Sequence, residues 1–172
     1  MQLRLIIVLS ISFLIAACEV VDTVEENQSV TGRSLCLSDY QMCIDPFFHA
    51  NLLGSAGIIN CSSSGCHDNG AGSGGGFKLF PSPALDSEQM RSNFFTAQAF
   101  ANFTSASDSR LVLEPLTGTF SITGSHAGGD IFIDQSDPCY IAIIDWVSKQ
   151  VADENSTACG GCTPPVLSAC GY

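Results

Sequence analysis

Nine cysteines behind an export-type leader constrain this chain more than any other feature of it. Arg4 precedes an apolar stretch from Leu5 to Ile15. That stretch is too short to cross a bilayer, which takes about 20 residues, but it suits the hydrophobic region of a signal peptide. Export matters because disulfides form and persist in oxidising compartments. The cysteines are therefore expected to cross-link the fold unless some other chemistry claims them.

The leader ends Ile15-Ala16-Ala17-Cys18, which resembles the lipobox of bacterial lipoproteins. The resemblance implies cleavage after residue 17, a lipid on the Cys18 thiol and residence at the outer membrane, facing the periplasm or the cell surface. An ordinary signal peptide cut near Ala17 is the other reading. Removing residues 1–17 leaves five basic against seventeen acidic residues, a net charge of −12. Nucleic-acid binding needs a basic surface, so that class is excluded. An acidic surface suits partners with a basic docking face.

Cys61-Ser62-Ser63-Ser64-Gly65-Cys66-His67 sets two cysteines and a histidine in the order that covalent haem attachment requires. Each thiol adds across one haem vinyl group, and the histidine right after the second cysteine is aimed at the iron. Four residues separate the cysteines where two are usual. The competing reading is a small disulfide loop with an incidental histidine. Zinc fits less well, since exported thiols oxidise and no fourth ligand is evident. Parity leaves the choice open. With Cys18 lipidated and Cys61 and Cys66 on haem, Cys36, Cys43, Cys139, Cys159, Cys162 and Cys170 form three disulfides. With Cys61 paired to Cys66 there are four.

Residues 18–35 are acidic and without apolar periodicity, a tether to the domain of residues 36–152. Asp45-Pro46 opens a helix with Phe47, Phe48, Leu52 and Ile59 on one face, a reading that Gly54 and Gly57 weaken. Residues 68–76 are glycine-rich, which suits close approach of backbone to a flat, bulky group. Asp86-Ser87-Glu88-Gln89 is a capping pattern before Met90, Phe94, Ala97 and Ala101. Arg110 to Pro115 reads as extended. Ser136-Asp137-Pro138 opens a second helix whose apolar residues cover most of its circumference. Residues 153–172 form a loop-rich tail. Its Cys159-Gly160-Gly161-Cys162 is read as structural and not as a redox pair, because Thr163-Pro164-Pro165 follows where redox chemistry wants a helix.

Several elements recur in order: the Cys-His motif, Gly75-Gly76-Phe77-Lys78-Leu79, Ser109 to Leu116, His126-Ala127-Gly128-Gly129, and Asp137-Pro138-Cys139-Tyr140 leading to Trp146. Across roughly residues 43–150 this series resembles the single-haem cytochrome c-like domains of the planctomycete type, which also occur in lipoproteins of other Gram-negative bacteria. The resemblance implies a mainly α, cytochrome c-like helical domain around one covalent haem c, with long Gly-rich loops and a disulfide-stapled tail. It makes Cys61 and Cys66 the thioether residues, His67 the proximal ligand and His126 the distal one. By donor chemistry alone, His49, Met42 and Met90 compete with His126 for the far side. Met90 is better read as helix core and His49 as a polar residue at a helix edge. Lys78 and Arg110 are candidates to pair with haem propionates.

The expectation is a lipid-anchored single-electron carrier that makes no bonds on a substrate and passes electrons to redox partner proteins. The alternative is a haem-free, disulfide-stabilised surface lipoprotein that acts as a binding or assembly module.

Overall fold

Three disulfides tie the tail to the rest of the chain: Cys36–Cys159, Cys43–Cys162 and Cys139–Cys170. The computed structural model describes residues 33–72, 74–118 and 126–172. The leader, Cys18 and the tether up to residue 32 lie outside the described residues. The six cysteines expected to be structural are the six that pair, and Cys61 and Cys66 remain free thiols. The first two disulfides close loops of 123 and 119 residues. In the chain-entropy account, a cross-link of that reach stabilises by about 5 kcal/mol.

The paired positions have a helical logic. Leu37–Asp39 (α1), a π-helical turn over Tyr40–Ile44 and Asp45–His49 (α2) run on from one another. Cys36 and Cys43, seven positions apart, face the same way on this run and receive Cys159 and Cys162 separately. Gly160, at φ 89°, donates its N–H to Asp39 Oδ1 at 2.6 Å. The Cys-Gly-Gly-Cys segment thus lies along the helix as two staples.

Two helices carry the centre. Glu88–Ala99 (α3) starts at Ser87, whose side chain accepts from Met90 N at 3.1 Å, and it buries Met90, Asn93, Phe94 and Ala97. Pro138–Ser148 (α5) is capped by Asp137, which accepts from Cys139 N and Tyr140 N, and it buries Cys139, Tyr140, Ile143, Trp146 and Val147. Both buried sets follow the helical repeat. The helix is not buried around most of its circumference as its apolar composition suggests, since Ile141 is 44% exposed. Tyr40, Phe94 and Trp146 meet between the helices, with ring centroids 5.4 to 6.1 Å apart. Trp146 Nε1 also donates to Cys36 O at 3.0 Å. Each such buried aromatic is worth roughly 2–3 kcal/mol in removed apolar surface.

The expectation of a mainly α, cytochrome c-like helical domain does not hold. Among the described residues only α3 and α5 exceed five residues. Leu52 and Ile59 do not share a helix face. They are cross-strand partners in an antiparallel hairpin of Leu52–Gly54 (β1) and Gly57–Ile59 (β2). Gly57, at φ 112°, provides the turn that the helical reading could not place. Arg110–Leu113 (α4) is a short helix, not an extended segment. The rest is turns, isolated bridges and loops, held by disulfides and by side chains that bond backbone. Glycine-rich and Cys/Pro-rich segments cannot propagate helix, so cross-links take over that role.

Candidate functional site

The Cys-His segment is shaped by its own backbone. Ser62 N donates to Phe48 O at 3.0 Å, Cys66 N to Ser63 O at 2.9 Å, and His67 N to Cys61 O at 2.9 Å. The last bond brings the first cysteine and the histidine together at the ends of the loop. Asn60 locks its start, donating from Nδ2 to His49 O at 2.7 Å and accepting from Ser62 N at 3.1 Å. Cys61 is buried and Cys66 half-buried. Burial, reinforced by the neighbouring Cys66, pushes the Cys61 thiol from 9.0 up to about 12.

His67 is held by the glycine-rich loop. Its Nδ1 bonds Phe77 O at 2.8 Å, and the Phe77 ring meets the imidazole edge-on at a centroid distance of 4.9 Å. Gly74 N donates to Cys66 O at 2.7 Å. A Cβ at Gly74 would overlap Nδ1 of His67. The glycine expected to lie against a flat group therefore lies against the imidazole. Burial lowers the pKa of His67 below its usual 6.5, and His126 adds to the effect. The ring is neutral at ordinary pH, and its Nδ1–H donates to the carbonyl.

His126 is built in the same manner. Its Nδ1 bonds Gly129 O at 2.8 Å, while Gly129 N donates back to His126 O at 2.8 Å. Gly129 has φ 80°, and a Cβ there would come within 2.9 Å of Ala56 N. The two imidazoles face each other with centroids 6.1 Å apart and planes 15° apart. With Nδ1 spent on a carbonyl in both, Nε2 makes no hydrogen bond in either ring among the described residues. A metal–imidazole bond is about 2 Å, so two imidazoles sharing one ion have centroids about 6 Å apart. A second-ring-nitrogen bond to a carbonyl is the usual support for a ligating histidine.

Cys61, Cys66, His67 and His126 border one cavity of about 510 Å³, within the range of cofactor sites. Phe47, Phe48, Phe77 and Phe100 wall one part, and Leu111, Pro115 and Ile131 another. The donors surround this space without converging. Among the described residues, the group of three or more metal-type side chains with atoms within 4.8 Å of one another is Asp137, Cys139 and Cys170. Those two cysteines are already joined. A compact zinc centre at Cys61, Cys66 and His67 is thus not formed, whereas a broad, flat cofactor could span the cavity.

The remaining candidates separate cleanly. Met42 is exposed and Met90 is in the core, and neither borders the cavity. His49 lies outside it, with Nδ1 2.7 Å from Ser62 Oγ and Nε2 3.1 Å from Asp45 Oδ2. Arg110 stands at the rim, 5.1 Å over the Phe100 ring and paired with Glu114 at 3.1 Å. Lys78 instead donates to Gly72 O.

Two supports escaped the sequence reading. Asn93, fully buried, accepts from Phe80 N at 2.7 Å and donates to Phe80 O at 3.0 Å, fixing the strand of loop that presents the Phe77 carbonyl. Ser55, at the hairpin tip, binds Asp130 beside the His126 turn. A surface groove of about 600 Å³ along α3, beside Arg91 and Phe95, is open to solvent. No protein-family model, no curated protein and no solved structure matches this chain.

Proposed function

We propose that the protein is an exported single-electron carrier with one haem c attached through Cys61 and Cys66 and held axially by His67 and His126. The observation that carries this reading is the pair of facing imidazoles, each with Nδ1 committed to a backbone carbonyl. Haem supplies a reversible one-electron change at its iron. The chain's own residues do the rest. His67 is kept neutral by burial, so a nitrogen lone pair is available. The phenylalanines give the cavity an apolar wall, and Arg110 would offer a cation at the rim for a carboxylate of the cofactor. If His67 and His126 both held the haem, no donor position would be left for a substrate, and the group would supply electron transfer and not catalysis.

The acidic surface suits redox partners with a basic docking face, and a lipid on Cys18 would hold the domain at the outer membrane. No helix among the described residues is long and apolar enough to cross a membrane. The haem-free alternative explains the three disulfides equally well. It assigns nothing to two free thiols and two opposed imidazoles around a cavity.

The test is expression of the full chain in a host with haem-c maturation. The expected product is red and keeps its haem through acid–acetone extraction. A colourless product whose peptide map shows a Cys61–Cys66 disulfide would end this reading in favour of the binding module.

A further inference from the structure

The turn that carries His126 depends on two supports. One is the hairpin tip, where Ser55 N donates to Asp130 O and Asp130 N to Ser55 Oγ, each at 2.7 Å. The other is the base of the loop. There Ile131 N and Phe132 N donate to Pro115 O at 2.7 and 2.9 Å, and Thr117 N donates to Phe132 O at 3.0 Å. A hairpin with three residues per strand is not stable by itself.

Residues 170–172 brace both supports. Tyr172 N donates to Leu53 O at 2.9 Å along the edge of β1, and the Tyr172 hydroxyl bonds Thr117 Oγ1 at the loop base. Gly171, at φ 89°, passes so close to β1 that a Cβ would overlap the Leu53 carbonyl. Its N–H donates at 2.7 Å to Asp137 Oδ2, while Oδ1 of the same carboxylate caps α5. Cys139–Cys170 then bonds the segment to the first turn of α5. None of these residues borders the cavity.

We propose that residues 170–172, locked to α5 by Cys139–Cys170, form a strap that positions His126 opposite His67. Gly171, Tyr172, Cys139 and Cys170 are positioning residues for the far-side imidazole. The spectroscopic part of the test rests on the haem reading above, whereas the strap itself is readable in the haem-free chain.

In the haem-loaded full chain, Gly171→Ala and the double variant Cys139→Ala/Cys170→Ala are expected to bind carbon monoxide at least about tenfold faster than the parent, because His126 leaves more often. His126→Ala marks the limit. The control is Cys36→Ala/Cys159→Ala, which removes a disulfide joined neither to the hairpin nor to residues 115–117. It is expected to stay within about twofold of the parent. In the haem-free chain, amide exchange at Gly129 and Asp130 accelerates in the first two variants and not in the control. Unchanged binding and exchange in folded Gly171→Ala overturn the proposal, as does equal acceleration in the control. If the double cysteine variant does not fold, Gly171→Ala and the milder Tyr172→Phe decide. A parent that takes up no haem overturns the proposed function, and the exchange comparison still decides the strap.

Discussion

The rings of His67 and His126 lie 6.1 Å apart and within 15° of parallel, each anchored through Nδ1 to a carbonyl three or ten residues further along the chain. These two histidines come from different loops, and nothing but tertiary packing brings them together. Because each ring is oriented by its own loop, the pair is pre-arranged.

The arrangement makes the two histidines unequal under mutation. On the haem reading proposed above, His126→Ala is expected to leave covalent attachment at Cys61 and Cys66 intact and to remove the far-side donor. The holoprotein then shifts from a low-spin to a high-spin absorption spectrum and binds carbon monoxide. His67→Ala keeps the backbone N–H that closes the Cys-His loop but removes the imidazole anchored to Phe77 O, and on the haem reading it is expected to lower the yield of attached haem as well. Equal spectra for His126→Ala and the parent would place the far-side donor elsewhere.

Cys61 gives a pH signature in the haem-free chain. Its folded pKa is raised from 9.0 to about 12, so folding favours the protonated thiol. That contribution is fully present below about pH 9 and is lost as pH rises toward 12. Stability by urea denaturation should fall across this window, and Cys61→Ala should fall less steeply. Tyr40, raised above 10.0 by burial and by Asp45, adds loss in the same direction and remains in the variant. At pH 8 the buried thiol should also resist alkylation, while half-buried Cys66 reacts. A Cys61 that is modified as fast as Cys66 contradicts the burial.

Gly74→Ala should displace the His67 ring, because the added methyl occupies the space of Nδ1 and lies 2.8 Å from Cys66 O. On the haem reading, the expected result is folded protein with impaired haem attachment. Gly161→Ala, where a Cβ meets nothing within 4 Å, should match the parent in both thermal stability and haem content. The contrast separates a close-approach glycine from a flexible one.

Asn93→Ala deletes a fully buried amide that bonds Phe80 twice and reaches Asp45 Oδ1 at 3.3 Å. Leaving Phe80 N and O unpaired should cost about 2–4 kcal/mol in chemical denaturation. Asn93→Leu, of similar volume, should not restore it. A loss below about 0.5 kcal/mol would mean that the Phe80 loop is held by other contacts.

What was legible beforehand is local chemistry. The caps at Ser87 and Asp137 and the faces of α3 and α5 follow from hydrogen bonding within one turn and from the helical repeat. The six cysteines named as disulfide candidates are the six that pair, while the choice between three and four disulfides, left open by the sequence, was decided by the structure. The hairpin was missed because Phe47, Phe48, Leu52 and Ile59 fit a helix face if the glycines are ignored, and Gly57 is what breaks it. Arg110 to Leu113 was missed because a four-residue helix shows less than a full repeat. Asn93 and Ser55 left no signal, since a buried amide and a loop serine act on backbone far away in the chain.

By itself, the sequence determined which residues can do chemistry: two thiols, the histidine beside them and a second histidine on a glycine turn. Their types and near-neighbour spacing set valence, tautomer partners and turn geometry. Only the tertiary structure decided that the fold is a loop-rich, disulfide-stapled one and not a helical cytochrome c domain, which cysteines pair, and that His126 faces His67 across a cavity. The physical reason is range. Caps and turns are settled within a few residues, whereas these relations depend on how distant segments pack and on the cross-links that hold them there.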